Sequence, residues 1–167
     1  FRDMMIHDFD LCRYYLNKDE ISEISSSVSS FENFYKKIKD HELATVTMKS
    51  KKGVICVITN SRHCSFGYDQ RVELFGNKGM LISDNLTSTS VKKYNNEYTN
   101  AKNPILDFFI TRYDIAYQKQ LEDFLNSVIN NKSTSVSFED GRKALIIANA
   151  AYKSMECNKS IKINYDE

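Results

Sequence analysis

Leu43-Ala-Thr-Val-Thr-Met48, followed by Lys51-Lys-Gly53 and then Val54-Ile-Cys-Val-Ile-Thr59, is the stretch on which the fold turns. The first run alternates and is rich in strand formers, the lysine-glycine segment supplies a turn, and the second run returns as an apolar strand. Together they read as an antiparallel hairpin. After Ser61-Arg-His-Cys-Ser-Phe-Gly67, residues 68–75 alternate Val72 and Leu74 with Arg71 and Glu73, and Gly76-Asn-Lys-Gly79 turns the chain into Met80-Leu-Ile82. Three or four neighbouring antiparallel strands are therefore expected. Residues 88–98, with Val91 and Tyr94 among polar neighbours, suggest a further strand at the end of the sheet. Upstream, residues 21–30 hold Ile21, Ile24 and Val28 among many serines. Serine competes for backbone hydrogen bonds, which favours an irregular strand over a helix there.

Helical patterns flank this run. Between residues 3 and 16, Met4, Met5, Ile6, Phe9, Leu11, Cys12, Tyr15 and Leu16 recur at helical spacing, with Asn17 and Lys18 as a polar exit. Asn103-Pro104 breaks the chain before residues 110–129, where Ile110, Tyr113, Tyr117, Leu121, Phe124, Leu125 and Val128 step by three and four along one amphipathic helix. Ser137-Phe-Glu-Asp140 precedes a helix over 141–155, whose Ala144, Leu145, Ile147, Ala148, Ala151 and Met155 form a small-residue stripe suited to close packing. Ile161 and Ile163 alternate in a short last strand over 160–164. The order of helix, many strands, two helices and strand predicts an α+β fold: a largely antiparallel open sheet with helices packed on one face and the other face available for oligomerisation. By alternation, Val46, Met48, Val54, Cys56 and Ile58 are the candidates for that second face.

The 167 residues read as one domain, 1–167, with no repeat or internal linker. Hydrophobic residues make up 41% and charged residues 27%, too apolar for a disordered chain. A formal net charge of +1 offers no excess of cations for a phosphate backbone, which argues against nucleic acid as a partner. No apolar run approaches the roughly 18 residues of a membrane span, so no membrane association is expected. Cys12, Cys56, Cys64 and Cys157 are scattered without a CxxC pair. Reduced thiols and a cytoplasmic setting are the expectation. Phe1 enters a helical pattern with no initiating Met or cap, so the chain reads as a fragment of a longer protein.

Asp3 and His7 are four residues apart on the first helix, and Asp10 follows three later. That spacing puts a carboxylate and an imidazole on one helical face. Oxidising an alcohol by hydride transfer also requires removing the hydroxyl proton, a task for an imidazole titrating near neutrality, and a nearby carboxylate favours the protonated imidazole. The same spacing fits an ordinary surface pair. A metal reading of Asp3, His7 and Asp10 lacks a further cluster of ligands.

The wording around the pair, Phe1-Arg-Asp-Met-Met-Ile-His-Asp-Phe-Asp10, resembles the second-domain helix of the Gfo/Idh/MocA oxidoreductases, especially inositol 2-dehydrogenase-like members, with D-x-x-x-H-x-x-D present entire. Gly67-Tyr-Asp-Gln-Arg-Val-Glu-Leu-Phe-Gly-Asn-Lys-Gly-Met80 is similar to the family's strand-turn-strand. Phe108-Phe-Ile-Thr-Arg-Tyr113 with Tyr117 is similar to its long-helix entrance, and Asp140-Gly-Arg-Lys-Ala-Leu145 to the start of its last helix. The likeness runs through the whole chain in the right order.

The resemblance implies a C-terminal substrate-binding and oligomerisation domain whose N-terminal Rossmann domain, absent from this chain, binds NAD or NADP. No GxGxxG occurs here, and the family's Glu-Lys-Pro segment has no counterpart. No cofactor-binding residue and no metal are therefore expected in the chain. The implied function is the substrate half of an NAD(P)-dependent dehydrogenase oxidising a cyclic polyol or sugar, inositol first, with the fragment inactive alone. Carried over by position, His7 resembles the proton acceptor, and Asp3 the carboxylate orienting substrate and catalytic groups. Tyr68 resembles a substrate-contacting tyrosine, and its alternative is a strand-end aromatic packed on helices. Arg62 and Arg112 are candidate hydroxyl or carboxylate binders at a pocket rim, or surface ion-pair residues. Asp10 reads as a brace, and His41 and His63 receive no role. Face-to-face homodimers or homotetramers are implied. The alternative is a non-catalytic sugar-sensing or oligomerisation module on the same fold, which the absent lysine segment leaves open.

Overall fold

The computed structural model describes residues 1–166 and divides into two units, residues 1–63 with 135–166, and residues 64–134. In the first unit, α1 (Met5–Leu16) leads into β1 (Ile21–Ser29), and a short α2 (Asn33–Ile38) precedes the hairpin of β2 (Leu43–Ser50) and β3 (Ile55–Ser61). The second unit holds the hairpin of β4 (Val72–Gly76) and β5 (Gly79–Ser83), the short pair β6 (Lys92–Lys93) and β7 (Ala101–Lys102), and α3 (Phe109–Ile129). The first unit closes with α4 (Phe138–Cys157) and β8 (Ile161–Lys162). Among the described residues, no helix is long and apolar enough to cross a membrane.

The first unit is an open antiparallel sheet of order β3-β2-β1-β8, with α1 and α4 on one face. The fold is α+β, as its sequence pattern predicts. Rows of the ladder, such as Ile24, Met48 and Cys56 or Ser26, Val46 and Ile58, share one side because strand side chains alternate. Ile24, Val46, Met48 and Ile58 are buried there with Met5 and Phe9 of α1 and Ile147, Ala148 and Ala151 of α4. Each large apolar side chain so buried contributes about 1.5–3 kcal/mol, and the alanines let α4 approach the strands closely. Among the described residues, every buried apolar one belongs to this unit.

Two expectations change. Val46, Met48, Cys56 and Ile58 do not line a free face, because both helices cover their side of the sheet; Val54 sits in the turn, before β3 begins. The uncovered side carries Ser25, Ser27, Thr45, Thr47 and Thr59, with Ile55 and Val57 exposed among them. The second change is the size of the sheet. The β4–β5 hairpin forms its own two-stranded sheet, and only two residues of the 88–98 stretch form a strand, paired to β7.

Serine-rich β1 is central because its serines satisfy what short β8 leaves open. Past the end of β8 pairing, the Ser26 N–H donates to Ser154 Oγ at 3.0 Å and Ser26 Oγ donates to the Ala151 carbonyl at 2.7 Å, tying β1 to α4. The N-terminus of α4 carries a reciprocal capping box between Ser137 and Asp140. In the second unit, α3 follows its expected span, with non-helical backbone at Tyr113.

Candidate active site

Asp3 precedes α1 and His7 lies in its first turn. Core-facing Met5 and Phe9 fix the orientation of the helix, and polar pins hold it. Arg62, just past the end of β3, donates through Nη1 to Asp3 Oδ2 at 2.8 Å and through Nη2 to Asp40 Oδ2 at 2.9 Å. The Asp8 carboxylate accepts from Asn60 Nδ2 on β3 at 3.0 Å. Arg13 reaches Asp10 Oδ1 at 2.6 Å, Asp140 Oδ1 at 3.0 Å and the Asp140 carbonyl at 3.0 Å, joining α1 to the start of α4. Asp10 thus braces the helix, as its spacing suggests.

The His7 ring is exposed. Asp3 is also exposed, and its carboxylate accepts a hydrogen bond from Arg62. Arg62 therefore occupies the ion-pair role, with its guanidinium shared between two carboxylates. The His41 N–H, and after it the Arg62 guanidinium, hold the Asp40 carboxyl below its ordinary value. Arg62 and Asp40 also line a cleft with Phe1, Met4, Val28 and Tyr152, into which neither Asp3 nor His7 opens. The carboxylate and imidazole are instead presented to solvent from the start of α1. That arrangement leaves the imidazole free to take a proton from a molecule placed against it.

In the second unit, Tyr68 is half-buried, and its N–H donates to the Leu106 carbonyl at 2.8 Å. Its ring centroid lies 5.8 Å from that of Tyr113, edge to face, and 6.5 Å from that of Phe109. Arg112 stacks over Tyr113 at 5.4 Å, and its buried Nε has no hydrogen-bond partner among the described residues. Tyr68 therefore packs as an aromatic while keeping partial exposure, and Arg112 holds a donor in reserve. Sequence reasoning overlooked Asp40, the second carboxylate on Arg62, and Glu42, buried at the mouth of β2. The signal available was the acidic Asp40-His-Glu42 step directly before the strand.

An open antiparallel sheet with two helices on one face, preceded by D-x-x-x-H-x-x-D running from Asp3 into α1, is the arrangement to set beside known proteins. A family model for the GFO/IDH/MocA C-terminal domain matches residues 1–82, and the likeness to proteins of that kind continues through the rest of the chain. The chain is 38% identical over 98% of its length to a myo-inositol 2-dehydrogenase of Thermotoga maritima, of which it covers 48%. A myo-inositol dehydrogenase of Corynebacterium glutamicum superposes with a TM-score of 0.92 at 40% identity, over 98% of this chain and 49% of that one. A scyllo-inositol dehydrogenase of Lactobacillus casei, solved with NAD(H) and scyllo-inositol bound, gives 0.87 at 25% identity, over 96% and 47%. The chain thus spans about half the length of the relatives it matches.

Proposed function

We propose that this chain is the substrate-facing half of an NAD(P)-dependent dehydrogenase that oxidises a ring hydroxyl of a cyclic polyol or sugar, inositol first. The carrying observation is likeness to inositol dehydrogenases along 98% of the chain, with the Asp3–His7 pattern kept at the start of α1. His7 removes the hydroxyl proton, and its exposed ring suits a base that must meet a substrate. Asp3, held by Arg62, orients the reacting groups. Tyr68 and Arg112 contribute substrate contacts, supported by a half-buried aromatic edge and an unpartnered buried guanidinium nitrogen.

The residues present do not fit a dinucleotide. The chain has no GxGxxG, and the α4 N-terminus is closed by its own capping box. We assign NAD or NADP to an N-terminal Rossmann domain of the whole protein, which would supply the hydride acceptor, so this chain alone is inactive. Exposed Ile55 and Val57 on the uncovered sheet face support assembly into a homodimer or homotetramer. Four free cysteines suit a cytoplasmic setting.

The test is turnover of the full-length protein with inositols and sugars, using NAD and NADP. His7→Ala should lower kcat by about 10²–10⁴. Turnover that survives within a few-fold removes His7 as the base, and tight inositol binding without any turnover favours a sensing module instead.

A further inference from the structure

We propose that Glu32, Glu42 and His63 form a binding site for one divalent transition-metal ion of the zinc class, separate from the residues assigned to alcohol oxidation. Glu32 immediately precedes α2, Glu42 immediately precedes β2, and His63 follows the end of β3, so three connections meet at one end of the sheet. One ligand atom from each lies within 4.8 Å of the others. His63 Nε2 stands 3.8 Å from both Glu32 Oε1 and Glu42 Oε1. An ion bound at about 2.0–2.2 Å from each ligand in tetrahedral geometry needs neighbouring donor atoms about 3.4 Å apart, so modest side-chain movements close the ring.

Glu42 supplies the independent reason to expect a cation. Its side chain is only 7% exposed. Oε2 is occupied by the N–H groups of Phe31 and Glu32, the latter at 2.7 Å. Oε1 receives no hydrogen bond from the described residues and faces His63 Nε2 across 3.8 Å, too far for one. The carboxylate is largely withdrawn from water, and a positive charge set against the oxygen that no described donor reaches would be attracted more strongly there than at an exposed site. The Glu42 backbone is pinned on both sides, its N–H to the Ser29 carbonyl at 3.1 Å and its carbonyl to the Arg62 N–H at 2.8 Å, so this ligand is preorganised. Glu32 and His63 are 59% and 58% exposed and can move to meet an ion.

Two carboxylates and one imidazole suit zinc, cobalt or manganese better than calcium, which prefers an all-oxygen cage. Three protein ligands leave one position open to water. The Tyr35 hydroxyl now sits 3.3 Å from His63 Nε2 and would yield that lone pair to the metal. Tyr35→Phe is therefore a control that should leave affinity unchanged or tighter.

The experiment strips the full-length protein with a chelator and titrates it with Zn²⁺ by calorimetry, then with Co²⁺, whose visible absorption reports four-coordinate binding. Wild type should take up one ion per chain at this site. Glu32→Gln and His63→Ala, both at exposed positions, should each weaken binding by more than about tenfold and remove the cobalt band, with unchanged far-ultraviolet circular dichroism. Absence of uptake by wild type overturns the proposal. Uptake indifferent to His63→Ala, or a Tyr35→Phe loss as large as that of His63→Ala, overturns it as well.

Discussion

Replacing Asp140 with Asn should loosen the start of α4 and unhook α1 from it, with a cost that depends on pH. The Asp140 carboxylate accepts from the Ser137 N–H at 2.8 Å, the Ser137 hydroxyl at 2.7 Å and Arg13 Nη2 at 3.0 Å. An amide keeps the shape but loses the charge and turns one acceptor into a donor. The Ser137 hydroxyl, then the Ser137 N–H and Arg13, hold the carboxyl down to about 2 from an ordinary 3.8. Converted in full, that shift corresponds to about 2 kcal/mol. The side chain is 37% exposed, so solvent screening leaves roughly 1 kcal/mol. Loss of half the capping box adds up to about 1 kcal/mol, and Tm should fall by about 2–8 °C. Because the folded-state value is depressed, the charge-dependent part is fully present above the unfolded value of 3.8 and is lost as pH falls through about 2. About half of it is gone by pH 3. Circular-dichroism melts of both proteins should give a full gap at neutral pH that narrows between about pH 5 and pH 3. A gap that stays constant over that range, or none at neutral pH, refutes the linkage.

Phe9, fully buried between α1 and the sheet, should cost about 3–5 kcal/mol as Phe9→Ala, read as a lower denaturant midpoint with unchanged slope; a loss under 1 kcal/mol would mean that the site is not packed as described. Gly67 has φ +125°, and a Cβ there would meet Ile105 Cγ1 at 2.4 Å, so Gly67→Ala should displace the neighbouring Tyr68 and change the near-ultraviolet tyrosine signal. An unaltered spectrum and Tm would contradict that crowding. Exposed Cys64 and Cys157 should alkylate before Cys12, whose thiol is pushed up by its hydrogen bond with Cys56 and by burial; peptide mapping after brief treatment with iodoacetamide checks the order. His7→Ala in the full-length protein remains the functional test of the proposed base.

The fold was legible wherever a period ran uninterrupted. The β2–β3 hairpin, both long helices and the last strand are all present where alternation or three-and-four spacing marked them. Which face of the hairpin is covered was not legible, because Val46 and Val57 look alike in sequence and only the docking of α1 and α4 separates them. Short α2 escaped notice, since its six residues cannot show two turns of period and its N-cap, Glu32, makes no side-chain cap bond. At the candidate site, the helix and its Asp3–His7 spacing could be read directly. The Arg62 bridge from Asp3 to Asp40 could not, because it joins residues far apart in the chain through tertiary contact alone.

Helix geometry gives the placement of His7 its meaning. At about 100° per residue, Met5, Phe9, Cys12 and Leu16 fall within a narrow arc, the arc that packs against the core. His7 falls about 200° from Met5, opposite that arc, with Asp10 about 60° from His7. An imidazole in the core stripe would be fixed by packing; one opposite it contributes nothing to burial. The helix is instead held through Arg62, Asn60 and Arg13, each binding a carboxylate at Asp3, Asp8 or Asp10 and Asp140. Those pins immobilise the backbone beneath His7 while leaving its ring unencumbered, which a base requires if its substrate is to be delivered from outside this chain.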